Sequence, residues 1–114
     1  PDAPHGAICA ALLPHVMAVN VAALRQRQVD GAGLARFDET ARLLTGDAGA
    51  RAADGAAWLH DLCAALAAPG LATFGLSRDH FPELIAKAQV ASSMKGNPVA
   101  LTEGELLEIV ERAL

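Results

Sequence analysis

Aromatic side chains are scarce, at 4% of 114 residues, although 53% of the chain is hydrophobic. The apolar content is therefore mostly alanine and leucine, which lose little entropy in a helix. No segment keeps up a two-residue alternation of β-branched residues, which argues against a half-buried sheet. No constant period recurs, which argues against a solenoid. Nine Lys and Arg against thirteen Asp and Glu give a formal charge of −4. The clustered positive charge that a phosphate backbone requires is thus missing, and nucleic acid is not an expected partner. Long apolar runs are also missing: Ala7 to Leu13 ends at Pro14 and His15, short of the about 20 residues that cross a bilayer, so a soluble protein is expected. The two cysteines, Cys9 and Cys63, have no CxxC companion. That excludes a disulfide framework and a zinc ribbon, and it suits a reducing, cytoplasmic setting. With neither an initiator methionine nor a signal-peptide pattern, Pro1 is expected to be a cut point in a longer polypeptide.

What the chain does contain is one domain's worth of helical pattern. Ala7 to Val19 is apolar on almost every face, as a central helix would be. Pro14 predicts a kink or restart there, with the helix closing near Asn20. "LRQRQVDGAG" reads as a connection with one exposed helical turn. Leu34, Phe37, Ala41 and Leu44 share a face of a second helix that Gly46 can end. A third helix, roughly Ala50 to Leu66, shows the stripe Leu59, Leu62, Cys63 and Leu66, with Pro69 and Gly70 beyond it. Phe81, Leu84, Ile85 and Ala88 mark a fourth helix, with Pro82 in its first turn and Ser77 or Asp79 as cap. Thr102 and Glu105 form a capping box ahead of a last helix. The expected class is all-α, an irregular bundle of about five helices spanning residues 1–114.

The chemistry-bearing candidates are few. His5 starts a helix between a φ-fixing proline and a glycine, in "PHG". On spacing alone a capping or surface histidine is favoured, with a metal or substrate ligand as the alternative. Cys9 lies one turn further and could share a metal with His5, but a cysteine among alanines is expected to be a small buried hydrophobe. His15, His60 and His80 take no role. "GAGLAR" lacks the third glycine of a dinucleotide loop and the strand before it. Trp58 is expected to pack. "SSMKGNP" is a loop that either lines a site or connects two helices.

"PHG" followed by "LLPHVMAVN", then "FDETARLLTG", "PGLATFGLS", "FPELIAKAQ" and "SSMKGNP" with "LT" and "EL" beyond it, resembles the C-terminal part of the iron-containing alcohol dehydrogenase family. The resemblance runs across nearly the whole chain. It implies the last part of a dehydroquinate-synthase-like helical domain, with the N-terminal dinucleotide-binding domain absent. It implies an oxidoreductase, inactive as cut here, that moves hydride between an alcohol and NAD(P) beside a divalent metal, Fe²⁺ or else Zn²⁺. His5 matches the family's last metal-ligating histidine, and the aspartate and two other histidines of the set would precede Pro1. Ser93, just before "GNP", is implied to approach the substrate pocket. The partner is then a small alcohol or aldehyde, with a homo-oligomer left open. Two other expectations remain: a helical interaction domain without catalysis, and an enzyme of the maleylacetate reductase type.

Overall fold

The computed structural model describes residues 5–27, 31–91 and 96–114. Among these residues there is no strand. Five helices follow one another: α1 (His5–Arg27), α2 (Ala32–Thr45), α3 (Ala52–Ala65), α4 (Phe81–Val90) and α5 (Glu103–Ala113), with short 3₁₀ turns at Leu71–Phe74 and Arg78–His80.

The first helix is longer than its sequence predicts, running unbroken through Pro14 and on past Asn20 to Arg27. Proline has no N–H, so the carbonyl of Ala10, four residues back, loses its intrahelical donor. The thiol of Cys63 on α3 lies 3.7 Å from that oxygen and supplies a weak replacement. Asn20 is the buried polar side chain of the core, 2% exposed. Its Nδ2 donates to the Val16 carbonyl at 2.9 Å and its Oδ1 accepts from Asn97 Nδ2 at 2.7 Å. Asn97 also donates to the Val99 carbonyl at 2.6 Å, which fastens the segment after residue 95 to the middle of α1. "LRQR" is the last turn of α1 rather than a connection, with Leu24 buried and Arg25, Gln26 and Arg27 exposed, and Arg27 reaches Glu105 on α5.

By length and composition α1 could cross a membrane, with mean hydropathy 2.0 and 44% of the window buried in the fold. This departs from the short apolar run expected from the sequence, because Pro14 does not interrupt the helix. Its buried residues include Ala11, Met17, Val19, Val21 and Leu24, on several sides of the cylinder. The surrounding helices therefore pack on several of its faces.

The second helix ends at Gly46 with φ 72°, a left-handed cap that returns its N–H to the Arg42 carbonyl. Asp38 on α2 then starts α3: its Oδ1 accepts from the Ala52 N–H at 2.7 Å, satisfying an orphan donor of the first turn. The buried face of α3 is not the predicted leucine stripe. Ala52, Gly55 and Ala56 are buried, whereas Leu62 and Leu66 are 37% and 71% exposed. Small residues let α3 lie close to α1 and α2. A Cβ on Gly55 would sit 2.8 Å from Met17 Cε and 2.9 Å from Ala41 Cβ. Gly55→Ala should therefore destabilise by about 1–3 kcal/mol through overpacking, in spite of a helix-propensity gain of up to about 1 kcal/mol. Gly104→Ala, where the nearest atom is 3.9 Å away, should show only the gain. Urea midpoints of the two variants check this pair of outcomes.

Ser77 stands at the start of the 3₁₀ turn leading into α4, and its N–H donates to His80 Nδ1 at 3.0 Å. Pro82 falls in the first turn of α4, where its missing N–H costs nothing. Phe81 and Ile85 dock α4 onto Val19 of α1 and onto Leu106 and Ile109 of α5. The capping box of α5 forms as predicted, with Thr102 Oγ1 accepting from Glu105 N–H at 3.1 Å and Glu105 Oε1 from Thr102 N–H at 2.9 Å. The Arg27 guanidinium on Glu105 holds that carboxyl below the usual range, and the bond from Thr102 adds to the effect.

Candidate functional site

Both candidates on α1 face solvent. His5 is the first described residue of the helix and is exposed, with Nε2 3.5 Å from Cys9 Sγ. One helical turn separates the two residues, so their side chains lie on the same face. Cys9 is exposed, which corrects the expectation of a buried hydrophobe. The cause is its position in the first turns of α1, before the neighbouring helices close over it. Gly6 has open space where a Cβ would project, so nothing crowds the imidazole from that side. Ser93 lies outside the described residues. Among the described residues no three His, Cys, Asp or Glu side chains converge on one point. His5 and Cys9 therefore fit a cation as part of a donor set and not as a whole one.

A second cleft lies elsewhere and involves residues given no role on sequence grounds. Contacts run from Ala10 to Cys63, from His15 to His60 and from Met17 to Gly55, so α1 and α3 are antiparallel. Between them a cleft of about 480 Å³ is lined by His15, Arg25, His60, Asp61 and Arg112 around small apolar residues. The His15 and His60 rings meet edge to face, with centroids 6.1 Å apart and planes at 76°. Arg112 is paired with Glu108 at 3.1 Å, and His60 Nδ1 lies 3.7 Å from Asp61 Oδ1. Burial, then the positive charges of His60 and Arg112, push the His15 pKa below its ordinary 6.5. The two histidines stand 45 positions apart in the chain, so only the antiparallel packing of α1 on α3 reveals the pair.

A histidine whose folded pKa is depressed binds more protons unfolded than folded. Its contribution to stability is complete above the unfolded value of about 6.5 and is lost as pH falls through that value toward the folded pKa. Urea midpoints taken from pH 8 down to pH 5 should therefore decline. His15→Gln should flatten the part of the decline that starts near 6.5.

The fold and site together define a class: a helical bundle that offers an imidazole and a thiol at the open end of its longest helix. The profile of the Fe-containing alcohol dehydrogenase family, C-terminal, matches residues 2–114, and the chain belongs to that family. No curated protein and no solved structure matches it.

Proposed function

We propose that this chain is the C-terminal helical part of a metal-dependent, NAD(P)-linked alcohol dehydrogenase with the dehydroquinate-synthase-like helical architecture. In the intact enzyme His5 donates to the catalytic divalent cation, Fe²⁺ before Zn²⁺. The single observation that supports this reading is the family match over residues 2–114, and the exposed position of His5 at the start of α1 is compatible with it. A cation held there would supply Lewis acidity toward the alcohol oxygen while NAD(P) accepts or returns the hydride. His5 would offer a ring nitrogen to that cation, and Gly6 keeps the approach open. The Asn20 and Asn97 bonds hold the chain that leaves the 92–95 segment, and Ser93 is proposed to reach the substrate pocket. A lone imidazole does not hold a catalytic cation, so the chain by itself is expected to be inactive. The substrate class is a small primary or secondary alcohol or its carbonyl counterpart. The two free thiols support a reducing, cytoplasmic setting.

The test is His5→Ala in the full-length enzyme. Metal content by elemental analysis and turnover should fall together, each by at least about 10–100-fold, which is the range reported for losing a mere outer-shell partner. Retention of both removes the assignment.

A further inference from the structure

We propose that the cleft between α1 and α3 is a site for a phosphate group, free or carried on a small organic molecule, held by His15, Arg25, His60 and Arg112. The proposal stands apart from the metal assignment and uses none of its residues. The four groups come from three helices, His15 and Arg25 from α1, His60 from α3 and Arg112 from α5, and all of them line the same cleft of about 480 Å³. Donors that converge from several directions suit a tetrahedral oxyanion better than a planar carboxylate, and the guanidinium fork is well matched to phosphate oxygens. A volume of this size falls within the range of about 300–1,000 Å³ for small-molecule sites, so there is room beside the phosphate for an organic part. Ala18, Ala22, Ala53 and Ala57 give that part an apolar floor, because short side chains on both helices leave the trough open.

The polar groups are also available. The half-buried His15 ring meets His60 edge to face and makes no hydrogen bond among the described residues. Arg25 is exposed, and no acid among these residues pairs with it. Arg112 gives one nitrogen to Glu108 at 3.1 Å, and its other N–H groups can serve a second acceptor. Asp61 is the carboxylate of the lining. Its side chain is 85% exposed and stands 3.7 Å from His60 Nδ1, which leaves His60 Nε2 for the ligand. Burial, then the charges of His60 and Arg112, hold the His15 pKa down, so the field at this ring is positive. An anion in the cleft acts in the opposite sense: it stabilises the imidazolium and raises the His15 pKa.

Inorganic phosphate and phenyl phosphate are the probes, titrated at pH 7 and constant ionic strength into the full-length protein labelled with ¹³C at histidine Cε1. The His15 signal is the one that His15→Gln removes, so phosphate bound at any other place in the protein does not enter the reading. That signal should move saturably, and its titration midpoint at saturation should rise by about one pH unit, as expected beside an opposite charge. Arg25→Gln and Arg112→Gln should each weaken binding at least about tenfold, the worth of one charge-assisted hydrogen bond. Lys87→Gln, which removes an exposed charge of α4, should leave the affinity unchanged. Benzoate should bind at least about tenfold more weakly than phenyl phosphate. Tighter binding of phenyl phosphate than of inorganic phosphate assigns the ligand as a phosphomonoester, and equal binding of the two assigns free phosphate. A His15 signal that does not move, a drift without saturation, an equal loss in Lys87→Gln, or benzoate bound as tightly as phenyl phosphate overturns the proposal.

Discussion

Replacing Phe81 with alanine should lower the unfolding free energy by about 3–5 kcal/mol, the usual cost of emptying a large aromatic site in a core. Phe81 is 3% exposed and packs with Val19, Ile85, Leu106 and Ile109, so its ring joins three helices at once. Phe81 and Ile85 are the only buried residues of α4, and without the ring the helix keeps one anchor of its own. A domain of this size is held by about 5–15 kcal/mol in total, so a large share would be lost. The melting temperature should fall by about 10 °C or more. Calorimetry measures both quantities, and a loss under about 1 kcal/mol would show that α4 does not dock on α1 and α5 in the way described.

Leu24→Ala should be the other severe change, at about 2–5 kcal/mol. The side chain is 1% exposed and belongs to a cluster with Ala23 and Val99, against which Leu34, Phe37 and Leu101 also pack. Its methyl groups lie over Gly33, where an added Cβ would come within 3.1 Å, so the start of α2 is fitted to this leucine. Filling the void would require α2 to move toward α1, and the close contact of α2 with α3 at Ala41 and Gly55 opposes that movement. Leu43→Ala, on a residue 80% exposed, is the matched control and should stay within about 0.5 kcal/mol of the wild type. Denaturant midpoints of the two variants separate burial from leucine chemistry.

Much of the fold is legible in the sequence where a local signal decides it. Gly46 ends α2, Pro82 opens α4 and Thr102 with Glu105 caps α5, because each acts within a few residues of its own backbone. The failures have a common cause: the deciding partner is distant in sequence. Pro14 reads as a break because the thiol that meets the Ala10 carbonyl is Cys63. "LRQR" reads as a connection because the acid that receives Arg27 is Glu105. The leucines of the third helix predict its buried face, yet close approach selects Ala52, Gly55 and Ala56, which carry little hydropathy signal. For the site, the "PHG" pattern and the resemblance that it carries point to His5, which lies exposed at the start of α1. The exposure of Cys9 and the meeting of His15 with His60 depend on how the helices pack, which no short pattern encodes.

The unbroken run of α1 also makes it a lever. From His5 to Asn20 is about 22 Å of continuous helix at 1.5 Å per residue. If Asn20, held by Asn97, serves as fulcrum, a rocking of one degree swings the imidazole end through about 0.4 Å. The direction in which the start of α1 points is therefore tied to the Asn20–Asn97 clasp, several turns further along the helix.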